Sequence, residues 1–224
     1  MYSWFTFSIE FLKKIMLDYQ IRSAQGKAEK NPTIILIHGY GSNAEDLFSF
    51  APYLPKSHTI IALQAPLSMG YRSYAWYPLG MNQTGTVTSD VDQAWKVVDL
   101  LLENIEALSE EHALDPDDIS LFGFSQGAIL SWALAFKYPE KVRRIIALSG
   151  LIHESVPMEK KPEFLAYAAH GIEDTVIRID QAREYILPLS QKYEEIEYHE
   201  FNDGHTVSHE NFTALMEWII KTNL

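Results

Sequence analysis

The chain of 224 residues contains no cysteine. Disulfide frameworks, cysteine-ligated zinc or iron–sulfur centres and cysteine nucleophiles are therefore excluded. Basic residues are scarce: 18 Lys and Arg stand against 30 Asp and Glu, a formal net charge of −12 at pH 7. That balance argues against nucleic acid or an anionic membrane surface as a partner held by charge. No apolar run approaches the ~18–20 residues of a membrane-spanning helix. The apolar start has its charges in the wrong order for a secretion signal, with Lys13 and Lys14 after the apolar stretch and Glu10 inside it. No stable membrane anchoring and a cytoplasmic location are expected. Internal repeats, low-complexity tracts and interdomain linkers are also missing.

What is present suits a buried core: 47% of residues are hydrophobic and 12% aromatic. Apolar β-rich runs at residues 33–37, 59–63, 119–122, 144–148 and 164–169 do not alternate with polar residues, as expected of strands covered on both faces. Residues 195–201 are more polar and suit a sheet edge. Leu17, Tyr19 and Ile21 alternate with Asp18, Gln20 and Arg22, the pattern of an outer strand with one wet face. Helical patterns lie between, at residues 46–54, 90–112, 126–138, 180–187 and 211–222, with Pro188 expected to kink or end the fourth. The alternation predicts one mostly parallel sheet with helices on both faces.

Gly123-Phe124-Ser125-Gln126-Gly127 has the Gly-x-Ser-x-Gly spacing, set between an apolar strand and an apolar helix. A strand–turn–helix this tight leaves no room for side chains two before and two after the serine, and it lifts the Ser125 hydroxyl beyond the sheet. Ser125 is the expected nucleophile. The amide of Gln126 then sits at a helix N-terminus, where partial positive charge can hold an oxyanion. The competing reading is a glycine-bounded helix start capped by Ser125.

A serine hydroxyl needs a base. Of eight histidines, His205 follows Asp203-Gly204 just beyond the last strand, downstream as the Ser–acid–His order of such elbows requires. His205 and His209 stand four apart, but the glutamate of a zinc peptidase motif is missing, and no metal is expected. Asp174, after the strand at 164–169, is the expected third member; Glu173 is adjacent, Asp180 suits a helix start, and Asp203 lies too near His205. The second oxyanion donor is expected from the Tyr40 backbone N–H in His38-Gly39-Tyr40-Gly41. His38 itself reads as a buried, hydrogen-bonded turn histidine. The stretch 64–89 shows little regular pattern and holds Tyr71, Tyr74, Trp76 and Tyr77; Trp76 and Tyr77 are expected in the substrate-pocket wall.

With these residues in place, the chain resembles the phospholipase/carboxylesterase family of α/β-hydrolases, the group of acyl-protein thioesterases and small bacterial carboxylesterases. The matching segments are Leu36-Ile37-His38-Gly39, Ile119 to Gly127, Ala147-Leu148-Ser149-Gly150, His170-Gly171 with Asp174, and Gly204-His205. The resemblance implies an α/β-hydrolase fold, and too little chain is left for a separate cap domain. It also implies hydrolysis of small-molecule esters or thioesters through an acyl-enzyme, without a cofactor. It assigns Ser125, Asp174 and His205 to the triad. Ala128 and Pro78 depart from the pattern, at places where glycine and an acidic residue are common. An acyltransferase with the same triad, and less readily a non-catalytic binding module, are the alternatives.

Residues 1–15 match nothing in that pattern and read as an extension to a single catalytic domain at 16–224. Phe5, Ile9, Leu12 and Met16 fall within about a 60° arc of a helical wheel, a stripe that needs the enzyme's own surface, a second subunit in a homodimer, or a membrane interface. The mixed charges make the last the weakest.

Overall fold

The computed structural model of the chain describes residues 16–26, 28–81 and 87–224; the expected extension over residues 1–15 lies outside them. In chain order the elements are β1 (Tyr19–Arg22), β2 (Asn31–Ile37), α1 (Ala44–Phe48), β3 (Thr59–Leu63), β4 (Leu67–Gly70), β5 (Ser73–Ala75), β6 (Leu79–Met81) and β7 (Val87–Ser89). They continue with α2 (Val91–Glu111), β8 (Leu114–Phe124), α3 (Gln126–Lys137), β9 (Arg144–Leu148), β10 (Leu165–Gly171), α4 (Ile179–Lys192), β11 (Ile196–Phe201) and α5 (His209–Lys221).

Seven strands form the main sheet in the order β1-β3-β2-β8-β9-β10-β11. All neighbours pair parallel except β1, which runs antiparallel to β3 at one edge. The polar strand β11 forms the other edge, as its composition suggests. Alternate residues of the central strands feed two cores. Ile35, Ile37, Leu121, Ile145 and Ala168 face the side covered by α2, α3 and α4. Ile34, Leu36, Phe122, Ile146 and Tyr167 face the side covered by α1 and α5. Both faces of the sheet are thus dry, which explains why these strands read as unbroken apolar runs.

Two differences from the sequence reading are instructive. The fourth helix does not stop at Pro188 but runs through it to Lys192. A proline inside a helix costs about 3 kcal/mol, whereas burying an isoleucine and a leucine returns roughly 1.5–3 kcal/mol each. Ile186 and Leu189 are both buried there, so packing outweighs the lost hydrogen bond. The stretch after β3 is also more regular than expected: β4 pairs with β5 and β6 with β7 in two antiparallel hairpins. Their strands have three or four residues each, too short for periodicity to reveal.

Candidate active site

The parallel strands point their carboxyl ends the same way, so the loops after β2, β8, β10 and β11 meet at one edge of the sheet. Ser125 links β8 directly to α3. Its φ of 53° and ψ of −116° lie where an L-residue is strained, and its N–H is held by the Leu148 carbonyl at 2.9 Å. The flanking glycines are steric requirements. A Cβ on Gly127 would stand 1.8 Å from the Ile37 carbonyl oxygen, and one on Gly123 would stand 2.4 Å from the Gly127 carbonyl oxygen. The turn therefore closes only with these residues.

Ser125, His205 and Asp174, far apart in sequence, are brought into one hydrogen-bonded row. His205 Nε2 lies 2.9 Å from Ser125 Oγ, and His205 Nδ1 lies 2.7 Å from Asp174 Oδ2. The Asp174 carboxylate is fully buried, while the His205 side chain keeps 18% exposure. Asp174 Oδ1 accepts the backbone N–H groups of Val176 at 2.8 Å and Ile177 at 2.9 Å. Two bonds to one oxygen and the imidazole on the other set the rotamer of the carboxylate. The His205 loop reaches Asp174 by passing over the end of β10 at Gly171, where a Cβ would meet the Asp203 and Gly204 carbonyl oxygens at 2.3 Å. The Glu173 N–H donates to the Asp203 carbonyl at 2.9 Å and ties the two loops together.

A second histidine, whose role the sequence reading leaves unassigned, supports this loop. His170 is buried, with Nε2 2.7 Å from the Ile177 carbonyl and 3.3 Å from Asp174 Oδ2. Its position at the end of an apolar strand and before a glycine was the available signal. Of the other acids weighed beside Asp174, Asp180 is engaged elsewhere: it pairs with the exposed Arg178, and its pKa is lowered by that hydrogen bond.

The backbone N–H groups of Tyr40 and Gln126 donate to no protein acceptor among the described residues. Tyr40 follows Gly39, whose added Cβ would lie 3.2 Å from Ser125 Cβ, on the loop after β2, and Gln126 follows Ser125 at the first position of α3. The Gln126 side chain is engaged: Oε1 accepts the Trp76 N–H at 2.9 Å and Nε2 donates to the Tyr77 carbonyl at 2.9 Å.

The two aromatics expected in the pocket wall have separate places. Tyr77 lines a small, partly open cavity with Ala94, Trp95, Ile129, Ala133 and Val156. Burial pushes its phenol up to about 12, so it stays neutral. Trp76, by contrast, is a core side chain, 1% exposed, that lines none of the cavities described. A buried indole N–H needs an acceptor, and Trp76 finds the His38 carbonyl at 2.8 Å. The Ala128 departure is also accommodated, since its fully buried methyl packs beside Gly150, where a Cβ would come within 2.5 Å.

Known proteins place this architecture. The phospholipase/carboxylesterase family model matches residues 19–223. Acyl-protein thioesterase 1 of Debaryomyces hansenii is 27% identical over 221 residues, covering 89% of this chain and 94% of that protein. The crystal structure of esterase PE8 superposes with a TM-score of 0.78 at 25% identity, over 92% of this chain and 99% of that one. The Bacillus cereus carboxylesterase has the same fold, with a TM-score of 0.78 at 18% identity over 95% of this chain and 97% of that one. No described helix is long and apolar enough to cross a membrane.

Proposed function

From the premise that the chain belongs to the phospholipase/carboxylesterase family of α/β-hydrolases, and so hydrolyses esters or thioesters, we propose that Ser125, His205 and Asp174 carry the reaction. The observation that supports this most directly is the row of hydrogen bonds from Ser125 Oγ through His205 to buried Asp174, at 2.9 and 2.7 Å.

Ser125 Oγ attacks the acyl carbonyl of the substrate while His205 Nε2 takes its proton. The negative charge that develops on the carbonyl oxygen is met by the N–H groups of Tyr40 and Gln126, aided by the positive end of α3. Asp174 keeps the imidazole oriented and stabilises its protonated form. The tetrahedral intermediate expels the alcohol or thiol, which receives the proton from His205, and leaves an acyl group on Ser125. Water, deprotonated by the same His205, then releases the carboxylic acid and restores the serine. The tight turn, the Ser125 N–H bond to Leu148 and the His205 bond hold the hydroxyl in place before substrate arrives, so little of that ordering falls in the chemical step.

Small-molecule esters and thioesters are the substrate class. A fluorophosphonate should label the protein once, and Ser125→Ala should abolish both labelling and hydrolysis of a soluble p-nitrophenyl ester. Labelling that survives the substitution rejects Ser125 as nucleophile.

A further inference from the structure

We infer that His38 is a positioning residue, its ring clamping the Gly39–Tyr40 peptide so that the Tyr40 N–H faces the oxyanion. The inference rests on the reading of that N–H as an oxyanion donor.

The Gly39 carbonyl and the Tyr40 N–H are two ends of one planar trans unit and point in opposite directions. Whatever holds the carbonyl therefore aims the N–H. His38 Nδ1 lies 2.8 Å from the Gly39 carbonyl oxygen, and the Ser42 N–H approaches the same oxygen at 3.3 Å. The unit stands beside the nucleophile, because a Cβ built on Gly39 would lie 3.2 Å from Ser125 Cβ.

The other side of the ring settles which nitrogen carries the proton. His38 Nε2 lies 3.1 Å from the backbone nitrogen of Ala65, with Gln64 Nε2 at 3.2 Å. A backbone N–H can only donate, so Nε2 must accept, and in the neutral ring the hydrogen sits on Nδ1. That hydrogen is the one donated to Gly39. His38 is 1% exposed, and burial holds its pKa below the ordinary histidine value, which keeps it in this neutral form. A second proton on Nε2 would confront the Ala65 N–H. The residue's own carbonyl is held by the Trp76 indole at 2.8 Å, so backbone and side chain of His38 are both anchored.

The test compares His38→Asn, which keeps a donor at the Nδ1 position, with His38→Gln, which keeps a group at the Nε2 position, and with His38→Ala. For hydrolysis of a soluble ester, His38→Gln and His38→Ala should lose tenfold or more in kcat, with KM moving less than twofold. That loss is below the roughly 10²–10³ that follows removal of an oxyanion donor, because the Ser42 bond remains. His38→Asn should stay within about threefold of the parent. Affinity for phenylboronic acid, whose adduct with Ser125 is tetrahedral, should fall in parallel with kcat. Affinity for acetate should not. Losses that are equal in the Asn and Gln variants, or boronate binding that is unchanged in the Gln and Ala variants, overturn the proposal. Nitrogen-15 spectra of the unmutated protein supply a check that needs no variant: a neutral His38 with its proton on Nε2 also overturns it. Failure of the underlying functional reading shows separately, as hydrolysis that survives Ser125→Ala.

Discussion

The Gln126 side-chain oxygen accepts the backbone N–H of Trp76 at 2.9 Å, across fifty residues of chain. The same amide donates to the next carbonyl, that of Tyr77, so one side chain in the first turn of α3 holds two consecutive backbone groups of the 64–89 segment. The residue whose N–H is proposed as an oxyanion donor thereby also holds the segment that lines the cavity at Tyr77.

Gln126→Leu leaves both partner groups buried and unpaired, at about 1–3 kcal/mol each. The backbone N–H at 126 is retained. A substantial drop in the urea unfolding midpoint is expected, together with a changed preference among ester chain lengths. An unaltered midpoint would show that the bridge does not hold the segment in solution.

Asp174→Asn should lower kcat by about 10⁴, because the amide nitrogen that takes the place of Oδ2 cannot accept a hydrogen bond from His205 Nδ1 and so favours the wrong tautomer. The backbone N–H groups of Val176 and Ile177 still tie the one remaining side-chain oxygen, so circular dichroism should be unchanged. Adding His205→Ala should bring little further loss, since residues that act as a unit are not additive. A double mutant whose losses multiply argues against the row acting together.

Two glycines near Ser125 should separate folding from catalysis. Gly127→Ala places a methyl 1.8 Å from a backbone oxygen, which cannot yield without moving β2 or α3, and soluble folded protein is not expected. Gly39→Ala meets Phe124 Cδ1 and Ser125 Cβ at 3.2 Å, a contact relieved by a few tenths of an ångström. That variant should fold, with a melting temperature near that of the parent, and lose kcat through displacement of the Tyr40 N–H. Equal stability losses in the two variants would contradict this contrast.

Burial lowers the pKa of His38, His58 and His199 below the ordinary 6.5. Each stays neutral in the folded chain at a pH where the unfolded chain has begun to bind a proton. The unfolded state then holds more protons, and stability rises with pH. The contribution is fully present above about pH 6.5 and is lost as the pH falls below it. Carboxylates whose pKa is lowered by a cationic partner, such as Glu195 beside Lys161 and Glu200 beside Arg183, add the same trend only below about 4.5. Urea unfolding at about pH 7.5 and pH 5 should show the lower midpoint at pH 5. A midpoint that rises on acidification would mean that these rings are protonated in the native state.

The sequence by itself determined the order of the main-sheet strands and the helices between them, and the three residues that meet at the sheet edge, because those features rest on local demands. Fully covered strands must be apolar throughout, and an elbow at Ser125 tolerates only glycine at 123 and 127. Loops after parallel strands necessarily emerge on one side, so Asp174 and His205 could be selected from chain order. Tertiary structure alone decided where buried donors find acceptors. Trp76 reads as a pocket aromatic until its indole meets the His38 carbonyl, 38 positions away. His38 reads as a turn residue until Ala65, 27 positions on, fixes which ring nitrogen carries the hydrogen. Pro188 reads as a kink or an end of its helix, and the helix continues past it because Ile186 and Leu189 pack into the core. Each outcome depends on a partner supplied by a distant segment, and a hydrogen bond or a dry contact exists only once the fold has brought that partner within reach.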